Sequence, residues 1–282
     1  MLKELKEEFR FKLQKKNTPF RPVFLIGCGR SGTTITGTTL GKHPSITYLN
    51  ERRDLWHQAY PEFDIWSGQF KGPKLIATAS DNDKTKTELL KKLLHKEQVL
   101  NSGSVLLEKL PINNFRLEFI QKAFPQAKYI YLHRNGIEVA KSIEQKTLTK
   151  KWFGQDSAKW QLLKKLSDSL DISNENLTNY EKALLEWRFS LQFSEAFFSK
   201  LNTSNFYSLS YQSFLENPKQ QIENIYTFLG LDFAESLTTS LTKDIKRQSQ
   251  RVERFSEREF ELAGPNLKSS MENTLRQTAP NT

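Results

Sequence analysis

One stretch constrains this chain more than any other: Pro22-Val-Phe-Leu-Ile-Gly27-Cys-Gly-Arg30-Ser-Gly32-Thr-Thr34. An apolar run rich in branched residues stops abruptly at glycines. A polar loop then opens into Ile35-Thr-Gly-Thr-Thr-Leu40, which can continue as a helix. Strand, glycine loop and helix in that order build a phosphate cradle. The loop N–H groups and the positive end of the helix dipole face an anion there. Gly29 and Gly32 keep Cβ atoms out of the oxygens' way.

The loop nearly fits the P-loop of nucleoside triphosphatases, with Gly27 and Gly32 at the right separation, and departs from it at one position. The Lys that should follow the second glycine is Thr33, and the cation sits inside the loop as Arg30. No second apolar strand ends in the Asp that a magnesium site needs. The later strand, Tyr129-Ile-Tyr-Leu-His133, ends in Arg134 instead. Arginines in place of metal and carboxylate suit an anion used without a metal.

The 282 residues can bury a substantial core in one large domain or two small ones. The formal net charge of +10 favours an acidic partner, yet Lys and Arg are spread along the chain and no nucleic-acid motif accompanies them. The single Cys28 excludes an internal disulfide and a Cys-based zinc site. No run approaches a membrane span. Residues 1–19 read as a charged surface helix without the apolar centre of a signal peptide, so the expected compartment is the cytoplasm.

Along the chain, His43-Pro44 ends the first helix and Ser45 to Leu49 reads as a strand leading to Glu51. A carboxylate just beyond a strand end is placed for ligand chemistry; Glu51 is either a general base or a partner of Arg52 or Arg53. The aromatic stretch from Trp56 to Ile76 reads as an excursion that forms either a substrate wall or its own small cluster. Segments 55–100 and 150–180 are the candidate acceptor-site and lid segments, the second read as irregular. Asp81 or Asp83 caps a helix. Val105 to Leu107 leads to Lys109 at a strand end, and Asn113 or Asn114 caps the next helix. Further helices cover Ile137–Ile143 and Tyr180–Lys200. Asn205 to Tyr211 reads as a strand, and a helix starts at Asn217-Pro218 and closes at Gly230. Beyond Ser236 the chain is basic (Lys243, Lys246, Arg247, Arg251, Arg254), with 270–282 frayed. Repeated strand–helix units imply an α/β fold: P-loop-like, three layers, with a mainly parallel central sheet flanked by helices.

Three blocks in this order resemble the sulfotransferases that use 3′-phosphoadenosine 5′-phosphosulfate. They are Gly29-Arg30-Ser31-Gly32-Thr33-Thr34, then Tyr131-Leu-His-Arg134 through Ser142, then Leu209-Ser-Tyr211 through Pro218 and Phe228-Leu-Gly-Leu231. The resemblance implies a single sulfotransferase domain over 1–282. Arg in the first loop looks most like the tyrosylprotein and carbohydrate branches. A Glu follows the loop's basic residue in the tyrosylprotein branch at the spacing between Arg30 and Glu51, although Arg52 and Arg53 here precede Asp54.

By that resemblance, Ser31, Thr33, Thr34 and the loop amides at Gly29 and Gly32 hold the 5′-phosphate, while Arg134 and Ser142 hold the 3′-phosphate. Tyr211 packs near the nucleotide. Arg30 and Lys109 stabilise charge on the leaving oxygen, and Glu51 takes the acceptor's proton, with His57 in reserve. The product nucleotide is adenosine 3′,5′-bisphosphate, no metal is required, and the acceptor is a hydroxyl on a small molecule, carbohydrate, lipid or tyrosine. Two other readings stand beside this one, a metal-dependent P-loop kinase and a non-catalytic nucleic-acid-binding protein.

Overall fold

The computed structural model describes residues 2–149, 152–153, 157–232 and 256–264. Helix α1 (Leu2–Gln14) precedes strand β1 (Pro22–Ile26), which is followed by α2 (Thr33–Leu40), β2 (Ile46–Asn50), α3 (Arg53–Ala59) and α4 (Lys84–Leu100). Strand β3 (Val105–Lys109) leads through a 3₁₀ turn, Pro111–Arg116, to α5 (Leu117–Ala123), β4 (Lys128–His133) and α6 (Gly136–Thr149). Next come α7 (Ala158–Asp168), α8 (Asn179–Phe198), β5 (Phe206–Ser210), α9 (Tyr211–Glu216) and α10 (Pro218–Leu229), then α11 (Glu257–Ala263). The basic segment from Lys243 to Arg254 and residues 270–282 lie outside the described residues.

The five strands form one sheet in the order β2-β3-β1-β4-β5, and every pairing is parallel. A parallel sheet needs crossover connections on its faces, so its strands are apolar on both sides. In β1 the alternation is direct. Val23 and Leu25 pack with Leu40 of α2 and Ile222, Ile225 and Tyr226 of α10. Phe24 and Ile26 point the other way, into a larger core with Phe119 of α5, Ile143 of α6 and Leu184 and Trp187 of α8. From β1 the chain goes first to the β3–β2 side and then to the β4–β5 side. The carboxyl end of β1 is therefore the topological switch point, where such sheets open a crevice.

Several boundaries follow from local chemistry. The Asp83 carboxylate accepts from Lys86 N at 2.9 Å and caps α4. Thr178 and Glu181 form a reciprocal capping box on α8. Gly230 ends α10 at φ 66°, in the left-handed region that glycine tolerates.

Three expectations are corrected. The segment 150–180 is not irregular throughout: α7 occupies Ala158–Asp168, because Trp160 and Leu163 bury one helical face. Asn113 and Asn114 do not cap a helix. They lie in the buried 3₁₀ turn, where Asn114 Nδ2 donates to Pro111 O at 2.7 Å, and α5 begins only at Leu117. Tyr211 is the first residue of α9 rather than the end of a strand. No helix among the described residues is long and apolar enough to cross a membrane.

Candidate active site

The loop Gly27–Gly32 hangs from the end of β1 and closes on itself through Ser31 N donating to Cys28 O at 3.1 Å. Two residues turn it, Arg30 at φ 72° and Gly32 at φ 97°. Gly32 is the N-cap of α2 and brings no side-chain cap, so the first-turn N–H groups get no capping partner from it and are available to an anion. No side chain would fit at Gly32, since the Tyr211 ring occupies the space a Cβ would take. At Gly29 a Cβ would stand 2.7 Å from the Trp152 ring. The loop is thus shaped from outside by two aromatic rings.

Beside the loop lies a cleft of about 650 Å³ lined by Arg30, Thr33, Thr34, Arg134, Ser142 and Tyr211, among others. At one end the β4 terminus delivers Arg134. Its Nε donates to Glu138 Oε2 at 2.7 Å, its NH1 donates to Arg30 O at 3.2 Å, and its guanidinium lies 4.5 Å from the centroid of the Tyr211 ring. Arg30 Nε donates to Ser142 Oγ at 3.1 Å. The loop and the α6 side chain therefore meet across the cleft mouth.

Behind Thr34, which lines the cleft, the β3 terminus supplies Lys109, whose side chain is fully buried. Its Nζ donates to Thr34 Oγ1 at 3.0 Å and to Glu51 Oε1 at 2.7 Å. Glu51 has φ 54°, and its backbone N–H donates to Lys109 O at 2.8 Å. Arg53 NH2 donates to the second carboxylate oxygen at 3.0 Å. Burial pushes the Glu51 carboxyl upward, but the Lys109 hydrogen bond and charge, joined by Arg53, outweigh it and hold the group below the ordinary carboxylate range.

The sequence-derived residues thus fall into two groups. Lys109, Thr34 and Glu51 converge on one point, and Arg30, Arg134, Ser142 and Tyr211 converge on another. Arg30 reaches toward Ser142 and not toward Lys109. Ser31 and Thr33 are buried in and just after the loop. His57 is on α3 with its Nδ1 3.5 Å from Asp64 Oδ2. In the aromatic excursion, Trp56, Tyr60 and Phe63 are core residues around Phe119, while Trp66 holds the Arg53 guanidinium 3.9 Å from its ring centroid.

Sequence reasoning missed one cluster. Glu108, fully buried, accepts from Trp56 Nε1 at 3.0 Å and from Asn113 Nδ2 at 3.1 Å, with the buried Arg116 nearby. Burial raises its carboxyl to about 7 despite these donors, and burial lowers the Arg116 guanidinium to about 9. Glu108 ties α3, which follows Glu51, to the turn that follows Lys109. The available signal was a carboxylate inside an otherwise buried parallel strand.

A family model described as "Sulfotransferase family" matches residues 22–235, from β1 to beyond α10. The chain belongs to the sulfotransferase family. An uncharacterized protein of Aquifex aeolicus (strain VF5) is 25% identical over 237 residues, covering 76% of this chain and 26% of that protein. The chain therefore spans about a quarter of that relative's length. Among solved structures, the sulfotransferase domain of the curacin biosynthetic pathway shares 19% identity and a TM-score of 0.53, covering 78% of this chain and 77% of that one. A sulfotransferase from Mycobacterium avium shares 16% identity and a TM-score of 0.54, covering 94% and 79%. At those identities the likeness is one of fold. Membership supports a transferase of sulfuryl groups and lends nothing to the kinase or nucleic-acid readings.

Proposed function

We propose that residues 1–282 form a single domain that transfers the sulfuryl group of 3′-phosphoadenosine 5′-phosphosulfate to an acceptor hydroxyl by in-line displacement. Its motifs fit best beside the tyrosylprotein and carbohydrate branches. The observation that carries the reading is the position of Lys109 Nζ, bonded at once to a loop hydroxyl and to a carboxylate. A cation, a phosphate-loop group and a proton acceptor share one point, which is what displacement of a sulfuryl group from a phosphate requires.

In this reading the loop N–H groups, Ser31, Thr33 and Thr34 bind the 5′-phosphate, and Gly29 and Gly32 leave it room. Arg134 and Ser142 bind the 3′-phosphate at the far end of the cleft, with Tyr211 packed beneath Arg134. Engaging that phosphate releases Ser142 from Arg30 and frees the guanidinium for the sulfuryl end. The acceptor O–H gives its proton to Glu51 as its oxygen bonds to sulfur. The bond from sulfur to the bridging oxygen breaks, and adenosine 3′,5′-bisphosphate leaves. Lys109 turns from Glu51 to the bridging oxygen, where charge accumulates. Losing Lys109 also lets the carboxylate become a better base. In this reading Arg30 and Lys109 supply the positive charge that magnesium supplies in a triphosphatase, so turnover is expected to persist in EDTA.

Titration with adenosine 3′,5′-bisphosphate, adenosine 5′-phosphate and ATP tests the donor assignment. The bisphosphate is expected to bind tightest. Equal or tighter binding of ATP would overturn the assignment and revive a kinase.

A further inference from the structure

Helix α1 packs on the domain through an acidic face with one buried aromatic and leaves an apolar stripe exposed on its other side. Glu4, Glu7, Glu8 and Phe11 share one face by helical spacing. Phe11 is buried edge-on against His95 of α4, with ring centroids 5.5 Å apart. Glu8 pairs with Lys92 at 3.0 Å, and Glu7 with Lys96 at 3.8 Å. The helix is thereby fastened to α4 through its acidic side. On the opposite face Leu5, Phe9 and Leu13 recur at every fourth residue and are 63%, 65% and 61% exposed. They are among the most exposed large apolar side chains described. Lys6 and Lys12, three residues either side of Phe9, border this stripe, and Lys16 lies just past the helix end; all three are exposed. The outward face thus combines bulky apolar groups with lysines, while Glu7 and Glu8 are engaged inward.

We infer that α1 is a peripheral docking face for an anionic lipid surface, lying in the plane of the headgroups. A helix of this kind buries its apolar stripe at the acyl boundary while lysines reach the anionic headgroups. The charge pattern selects this occupant over a second copy of the chain. An isologous contact through the same stripe would press Lys6 and Lys12 of one copy against those of the other. A purely electrostatic partner such as nucleic acid leaves Leu5, Phe9 and Leu13 without a role. The inference rests on no part of the catalytic reading, because α1 packs on α4 and supplies none of the cleft-lining groups.

Flotation of the full chain with phosphatidylcholine vesicles, with and without phosphatidylserine, tests it. Binding is expected only with the anionic lipid and should weaken as salt rises. Phe9→Gln combined with Leu13→Gln should lower partitioning by roughly tenfold, and Lys6→Gln and Lys12→Gln by roughly fivefold each. Melting temperature and bisphosphate affinity should stay unchanged in all of these, since the side chains point away from the core. The inference is overturned by failure to bind anionic vesicles, by equal binding to neutral ones, or by wild-type binding in the Phe9/Leu13 variant. A dimer in solution that the Phe9/Leu13 variant dissolves would assign the stripe to a second copy instead.

Discussion

The two groups of candidate site residues, one at the β3 end and one at the β4 end of the sheet, present their cations in opposite ways. At the β3 end the cation is dry: Lys109 is fully buried and tied to Thr34 and Glu51. The β4 end is wetter: Arg30 is exposed and meets Ser142 in an exposed contact, and the partly buried Arg134 reaches Arg30 O through NH1 in another. Charge interactions strengthen as water is excluded, so the dry end is suited to stabilising a transient charge and the wet end to capturing a permanent one. The dry end also arrives preorganised, because its groups hold one another in place. The open end changes partners at little cost, as an exposed hydrogen bond is readily exchanged for one to water.

The largest effect should come from breaking the dry end. Lys109→Met is expected to reduce kcat by about 10³-fold, the scale of losing one preorganised transition-state contact, with bisphosphate affinity changed far less. Comparable losses in both would erase the distinction between the ends. Glu51→Gln should lower kcat by about 10²- to 10³-fold and leave donor affinity intact; parallel losses would make Glu51 structural. The pH profile sharpens this point. Glu51 must be ionised to take a proton, and Lys109 and Arg53 hold it low, so activity is lost only as pH falls through that lowered value. The acid limb of kcat/KM therefore belongs below pH about 4.5. The limb of kcat should lie higher if Lys109 leaves Glu51 in the complex.

At the wet end, Arg134→Ala is expected to weaken adenosine 3′,5′-bisphosphate by roughly 30- to 100-fold, the loss of a charged hydrogen bond. Adenosine 5′-phosphate should bind as before, and titrations with both nucleotides check the contrast. A smaller effect concerns the support behind the dry end. Glu108 titrates at about 7 when folded against 4.5 unperturbed, so the folded state holds the extra proton between those values. Stability should accordingly fall as pH rises through that window, by about 3 kcal/mol. Denaturant titrations of wild type and Glu108→Gln measure it. A slope that survives the substitution would assign it elsewhere.

The part of the site formed by neighbours in sequence was legible. The strand–loop–helix around Gly29–Thr34 and the carboxylate after β2 announce themselves by local spacing, whereas Arg134 and Ser142 were singled out by the family resemblance; both line the cleft, where Ser142 accepts from Arg30. The parallel sheet was legible too, because each strand is followed by a helical pattern. Contacts between distant segments were not legible. Nothing near Arg30 announces Ser142, and nothing near Gly32 announces Tyr211. The Trp160 and Leu163 signal of α7 was hidden by the Ser/Asn-rich sequence around it. Trp56, Tyr60 and Phe63 could be read as a substrate wall or as a cluster of their own, because aromatic residues suit ligand and core equally; only their packing on Phe119 decides for the core.

The rings against Gly29 and Gly32 bear on the order of events during synthesis. Trp152 is held by its indole N–H on Glu186 at 2.9 Å, and that carboxylate also pairs with Lys159 at 2.7 Å. Tyr211 comes later still, after the last strand. The glycine loop is encoded well ahead of both rings, so its walls are delivered by residues the ribosome adds much later. An emerging polypeptide would thus carry the recognisable signature long before it could grip a ligand.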